Sequence, residues 1–321
     1  MQKTAVLAVG LSCLLGSALA ITESRAQSDF RVTLLGTASP SPRPTRMGPS
    51  TLVEAGSQRL LFDAGRGVPV RLWQVKVPMG TLDVLFITHY HSDHVSGIPD
   101  LWLTGWLSPP FGRRKTPFHV VGPTGARSLM ENLDRAYALD KSIRIEDEKL
   151  PLEGIAIKVD EFDKDGVVYE KNGVKVIAFE VDHGAAIKPA YGYRVEYNGH
   201  AVTISGDTRY NQNVIKYGAG ADVLIHEVGM ARPELMSNPF VQRIIGHHTT
   251  PKEVGMVFSQ AKPKLGVYTH IVLLSSEKIA EPTLDDLVAE TRTTYGGALE
   301  VGEDLMSFEI GDTVTVRRFK N

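Results

Sequence analysis

The 321-residue chain is long enough for one large domain or two small ones. With 42% hydrophobic and 22% charged residues it has the make-up of a soluble globular protein with a sizeable core. Its formal net charge of −2 shows none of the basic excess of a dedicated nucleic-acid binder, which weighs against a polyanion partner and makes nucleic acid an unlikely ligand on composition.

The chain opens with Met1-Gln2-Lys3-Thr4, followed by an almost wholly apolar run from Ala5 to Ala20. That run closes on Ala18-Leu19-Ala20, and Ser24-Arg25-Ala26 offers a second cleavage site before Gln27. A short basic start, an apolar stretch and a small-x-small end read as a secretory signal peptide over residues 1–26. The run is short for a membrane span and no basic stop-transfer segment follows it. A periplasmic or secreted protein without stable membrane association after processing is expected. The single cysteine, Cys13, lies in the leader. The mature chain therefore has no disulfide, and any metal site in it must be built from histidine and carboxylate.

From Phe30 to Leu35 a strand is predicted, ending at Gly36-Thr37-Ala38-Ser39-Pro40. A loop rich in proline, serine and arginine runs on to Pro49. Thr51 to Glu54 and Arg59 to Phe62 flank Gly56-Ser57 as a hairpin. Asp63-Ala64-Gly65-Arg66-Gly67 then leads into a helix. Val84 to Thr88 is an apolar strand that runs directly into His89. Phe118 to Val121 is another, followed by a helix from about Ala126 to Leu139. Strands follow at Ile155 to Val159, Val167 to Glu170, Val174 to Val181, Tyr191 to Tyr197, Ala201 to Ser205 and Val223 to His226. Thr249 or Thr250 caps a helix over Glu253 to Gln260, with Pro251 in its first turn. Leu265 to Thr269 is a strand ending at His270, and Met306 to Arg317 forms a closing strand or hairpin. No repeat and no linker divides residues 27–321, so one mixed domain is expected. Apolar strands end at His89, Asp207, Glu227 and His270, which could bring these polar groups to one sheet edge. A homodimer is compatible with the sequence.

Ten histidines are present, and three fall within His89-Tyr90-His91-Ser92-Asp93-His94. In an extended start His89 and His91 alternate towards one point, while Asp93 and His94 in the following turn face a second. Imidazole nitrogen and carboxylate oxygen without sulfur suit zinc, manganese or iron. His119 and His200 read as structural or surface residues, and His226 as a buried one.

His89-Tyr90-His91-Ser92-Asp93-His94 resembles the His-x-His-x-Asp-His motif of the metallo-β-lactamase superfamily. Leu61-Phe62-Asp63-Ala64-Gly65, Val121-Gly122-Pro123-Thr124-Gly125, Ser205-Gly206-Asp207-Thr208, His226-Glu227 and Gly246-His247-His248-Thr249-Thr250 extend the likeness to its ribonuclease Z-like branch, which includes secreted arylsulfatases. The resemblance implies an α/β fold of the αββα four-layer sandwich type. It implies two divalent metal ions, zinc being the expected metal. One would be held by His89, His91 and His183, the other by Asp93, His94 and His270, with Asp207 bridging. Asp93 would also orient the attacking hydroxide. His247 would be the leaving-group acid, held by Glu227. The neighbouring His248 departs from the branch pattern and leaves the choice of acid between the two imidazoles open.

On this reading the chain is an exported two-metal hydrolase of aryl sulfate or phosphodiester substrates, with a small-molecule ester as partner. Ribonuclease Z-type tRNA 3′-end processing and a lactonase or β-lactamase-like acyl hydrolysis are the alternatives. The leader, the charge and the lack of a long arm between Glu148 and Asn172 weigh against tRNA. Trp102, Trp106, Pro109, Pro110 and Phe111 are candidates for an apolar wall over the site, and Arg43, Arg46 and Arg66 for anion contacts.

Overall fold

The computed structural model describes residues 29–320; the expected signal peptide over 1–26 lies outside them. Two sheets form. The first contains β1 (Phe30–Gly36), β2 (Ser50–Ala55), β3 (Gln58–Phe62), β4 (Val84–Phe86), β5 (Phe118–Pro123) and β6 (Ile157–Phe162), with β14 (Ser307–Ile310) and β15 (Val314–Arg317) beyond β1. The second contains β7 (Gly166–Lys171), β8 (Val174–Glu180), β9 (Tyr191–Tyr197), β10 (His200–Ile204), β11 (Val223–Ala231), β12 (Leu265–Leu274) and β13 (Leu299–Val301). Each sheet is antiparallel in one half, β1 to β3 or β7 to β10, and parallel in the other, β3 to β6 or β10 to β13.

The four layers follow from the side-chain alternation of strands that are apolar on both faces. Leu34, Leu60, Val84 and Phe86 point inward against Val176, Tyr193, Val202, Ile225 and Val267 of the other sheet. Their neighbours Leu35, Leu61, Leu85 and Ile87 point outward and are covered by α1 (Val68–Gln74), α3 (Ile98–Trp106) and α4 (Ala126–Ala136). On the far side Leu224, Val228 and Tyr268 meet α7 (Gln212–Gly218), α9 (Pro251–Ala261) and α10 (Leu284–Arg292). The helix, sheet, sheet, helix order is the αββα sandwich expected. Three other helices are shorter or more exposed: α2 (Ser92–Val95), α5 (Ala138–Asp147) and α6 (Leu152–Ile155). One further helix, α8 (Pro239–Ile245), precedes the His247-His248 pair. Among the described residues no helix is long and apolar enough to cross a membrane.

Two strand ends are not where the sequence placed them. β11 runs on past His226 and Glu227 to Ala231, and β12 past His270 to Leu274. His270 is an extra residue in the ladder, since Glu227 pairs with Thr269 and Val228 with Ile271. It takes a φ of 41°, the left-handed region that a non-glycine residue rarely occupies. Such a bulge re-aims a side chain without ending the strand, here towards the site. The helix expected over Ala126 to Leu139 ends at Ala136, and α5 continues the path from Ala138. Between Glu148 and Asn172 there is only α6, β6 and β7, joined by residues 163–165.

Candidate metal centre

Four chain segments meet at one end of the sandwich. His89 and His91 leave β4 in extended backbone, and α2 then places Asp93 and His94 in its single turn. His183 follows β8, Asp207 follows β10 after Gly206, and His270 comes from the bulge in β12. Gly206 has a φ of 62°, and a Cβ there would lie 2.5 Å from the Tyr191 carbonyl oxygen, so the turn that delivers Asp207 requires glycine.

The ligand atoms gather in two sets joined by one carboxylate. His91 Nδ1 lies 3.0 Å from His89 Nε2 and 3.3 Å from His183 Nε2. Asp207 Oδ2 lies 3.9 and 3.7 Å from those two Nε2 atoms. The same oxygen is 3.3 Å from His94 Nε2 and 3.1 Å from His270 Nε2, and Asp93 Oδ2 is 3.2 Å from His270 Nε2. Two nitrogens each bound to one tetrahedral ion stand about 3.3–3.4 Å apart for the usual zinc–nitrogen length of about 2.0–2.1 Å. The spacings fit that requirement. His94 Nε2 is buried with no well-directed hydrogen-bond partner, as a ligand nitrogen would be. His89, His91, His183 and Asp207 form one candidate set; Asp93, His94 and His270 form the other. The arrangement is that of a binuclear divalent-metal centre.

The outer contacts set the tautomers. His94 Nδ1 donates to Asp63 Oδ2 at 2.7 Å, and Asp63 also accepts the Thr88 amide and hydroxyl, each at 2.8 Å. His183 Nδ1 donates to the His247 carbonyl at 2.8 Å. Each bond keeps the proton on Nδ1 and turns Nε2 towards the centre. Burial pushes His89 well below its ordinary range and His183 down to about 4, so both rings present lone pairs. Asp207 would be raised by burial, but His270, His94 and His89 outweigh this and hold it well below the usual carboxylate range. His94 moves the other way. Burial lowers it, yet Asp207 and Asp63 raise it well above the imidazole range, a position on Nε2 that a cation would take from the proton.

Glu227 is fully buried and does not hold His247, the partner expected from the sequence. It holds His248, whose Nδ1 is 3.1 Å from Glu227 Oε2, while its Oε1 accepts the amides of Thr208 and Thr249 at 3.2 and 3.1 Å. Burial would lower His248, but the Glu227 charge lifts it to about 9. Its ring stacks on His270 at 5.5 Å, and Asp207, His248 and His270 form a third ligand-type group. His247 stands at the mouth of the cleft, its ring against Gly184 and its pKa lowered by partial burial and His248. His226 is buried against Phe258 with its Nδ1 on the Glu227 carbonyl, facing away from the centre. His119 and His200 pair with Asp160 and Asp222 away from the site.

A cleft of about 610 Å³ opens over the ligands. Its polar floor is His91, Asp93, His183, Asp207, His247, His248 and His270; its apolar side is Phe240 and Ile244 of α8, Ile187, and Val272 to Leu274 of β12. The expected wall is elsewhere. Trp102 and Trp106 are completely buried in the outer core under α3, donating to the Ile155 and Pro151 carbonyls, and Phe111 packs against Trp73. Nor do the expected arginines line the cleft. Arg43 pairs with Glu281, Arg46 donates to Thr37 and the Gly302 carbonyl, and Arg66 is exposed.

Residues 58–271 match the family model described as a beta-lactamase superfamily domain. The Ribonuclease Z of Mycobacterium marinum (strain ATCC BAA-535 / M) is 34% identical over 284 residues, covering 88% of this chain and 99% of that protein. Among solved structures, the metallo-beta-lactamase fold protein YhfI from Bacillus subtilis superposes with a TM-score of 0.66 at 19% identity over 87% of this chain and 98% of its own. The short form of human tRNase Z does so with a TM-score of 0.61 at 23% identity over 86% and 98%. These correct the expectation that nucleic acid is an unlikely partner. The M. marinum protein is matched nearly end to end, with no room for a long arm that this chain lacks. The short β6–β7 connection therefore does not separate this chain from a protein named Ribonuclease Z, and net charge alone was too coarse a guide.

Proposed function

The chain belongs to the metallo-β-lactamase superfamily and is a metal-dependent hydrolase; we propose that it is a binuclear phosphodiesterase of the ribonuclease Z type, with RNA as its substrate class. The observation that carries this reading is the Glu227–His248 pair set beside two ligand sets, with Asp207 Oδ2 within reach of both. Such a pair serves a reaction whose leaving oxygen needs a proton, as an RNA alkoxide does.

Two divalent cations, zinc in this proposal, would supply a nucleophilic water at neutral pH and positive charge against the phosphoryl oxygens. The residues of the chain do the rest. Asp93, with Oδ2 facing the Nε2 atoms of His94 and His270, would orient that water for in-line attack. His248 lines the cleft with Nδ1 committed to Glu227, which leaves Nε2 to give its proton to the departing oxygen. Glu227 keeps that ring protonated and in place. Export through the leader over residues 1–26, to the periplasm or beyond, is part of the same proposal.

A second reading, hydrolysis of a small aryl sulfate, is favoured by a cleft of about 610 Å³, the size of a small-ligand site. The test is a side-by-side comparison of the purified, metal-loaded chain on 3′-extended precursor RNA, bis-aryl phosphate, aryl sulfate and a lactone. Diester turnover that dominates by kcat/KM and collapses in His248→Ala is the expected result. Dominant aryl sulfate turnover selects the second reading, and lactone turnover indifferent to His248→Ala refutes both.

A further inference from the structure

The floor of the cleft is accounted for by metal ligands and the proton donor, but its side is not. α8 has two faces. Val241 and Ile245 are 5% and 8% exposed and pack with Leu235 in a small core of their own. Phe240 and Ile244, also four residues apart and so on one face, line the cleft instead. Phe240 is 60% exposed, a large ring left in water although its helix has a core to bury into. The presentation is rigid. Asn238 caps the helix by accepting the Phe240 amide at 2.9 Å, Pro239 occupies the first turn, and the Gln242 side chain donates to the Met236 carbonyl at 2.7 Å. Leu273 and Leu274 continue the surface from the strand segment beyond the His270 bulge. Apolar side and metal-ligating floor thus belong to a single cleft.

We propose that Phe240, backed by Ile244, Leu273 and Leu274, is a stacking platform for the nucleobase of a nucleotide whose phosphate lies over the metal ligands. An exposed aromatic beside a phosphate-directed centre can hold a planar ring by stacking without reading its sequence. The occupant is a ring rather than an alkyl chain because, among the described residues lining the apolar side, the one aromatic, Phe240, is left exposed. The proposal rests on the phosphodiesterase reading for its choice of ring, but its test does not depend on turnover.

Calorimetry on the metal-loaded full chain compares adenosine 5′-monophosphate with ribose 5-phosphate, which differ only in the base. Stacking of one base accounts for about 5- to 150-fold in affinity, so the wild-type protein prefers the nucleotide by that factor. Phe240→Ala brings the ratio to within about threefold while Phe240→Trp preserves it, and neither changes the binding of inorganic phosphate. A wild-type ratio near one, or a ratio untouched by Phe240→Ala, overturns the platform. If the ratio behaves as stated while no diester is hydrolysed, the platform stands and the phosphodiesterase reading falls.

Discussion

Replacing Asp63 with asparagine tests the logic of the centre at a residue that is not in either ligand set. Asp63 is buried at the end of β3 and holds three donors: the Thr88 amide, the Thr88 hydroxyl and His94 Nδ1. An asparagine fits the space but has one acceptor oxygen and one donor nitrogen. If the oxygen faces His94, the nitrogen meets the Thr88 amide, donor against donor. If the nitrogen faces His94, Nδ1 must accept, which moves the ring proton to Nε2 and removes the lone pair aimed at the metal. Loss of such an orienting partner typically lowers metal affinity about 10- to 100-fold, or about 1.4–2.7 kcal/mol. The loss should fall mainly on the set that contains His94, because the other set meets Asp63 only indirectly, through the Thr88 hydroxyl 3.0 Å from His89 Nδ1, and His183 has its own anchor on the His247 carbonyl. Zinc titration against a competing chelator should show one site retained near wild-type affinity and the other weakened, with a lowered metal-to-protein ratio after dialysis. Two sites each within about twofold of wild type would refute the tautomer argument.

Other outcomes are as specific. His248→Ala should lower kcat about 10²- to 10⁴-fold with metal content unchanged, whereas His247→Ala should cost less than about tenfold; the reverse order, read by steady-state kinetics, would return the proton donor to His247. Stripping metal from the protein with a chelator should lower the thermal midpoint and readdition of zinc restore it, by about 2.7 kcal/mol of linkage at a hundredfold excess over Kd; an unmoved midpoint would mean no ion binds the folded state. Asp222 sits outside the centre and reports on acid stability. Burial would raise it, but Lys264, the Ala201 amide and His200 hold it below the ordinary carboxylate range. Its contribution is therefore full above its unfolded pKa of about 4 and is lost as pH falls through the lower folded value. In urea titrations Asp222→Asn should destabilise at pH 7 and lose that difference under strongly acid conditions; an equal deficit at both would contradict the assignment.

The centre was readable wherever ligands follow a strand by a fixed local turn. His89, His91, Asp93 and His94 fall within six residues, and His183 and Asp207 lie just beyond β8 and β10. Glu227 and His270 look like strand ends in sequence only because a polar residue interrupts an apolar run. The bulge that keeps β12 continuous through His270 is a property of its pairing with β11, and no single strand carries its signature. Choosing between His247 and His248 was beyond local reasoning for a related reason. Successive residues of a turn point in different directions, and which of them meets Glu227 depends on how α8 and α9 pack. Proximity in sequence misled in the opposite sense for Trp102 and Trp106. They follow the ligand motif closely, but α3 turns them into the outer core. Asp63 was visible as a strand-terminal aspartate, yet its partners, Thr88 and His94, lie on a different strand exit.

Glu227 does more than hold the His248 ring. With no access to solvent it ties the Thr208 amide, next to Asp207, to the Thr249 amide and the His248 ring. The Thr249 hydroxyl closes the same circuit on the Thr208 carbonyl at 2.7 Å. The loop that carries Asp207 and the loop that carries His248 are therefore one mechanical unit. Whatever fixes Asp207 also orders His248, and the restraint acts equally in reverse. If His248 is the acid proposed above, metal occupancy and its readiness are reciprocal, so that partial metal loading should cost the chain part of its proton-transfer geometry as well as its ions.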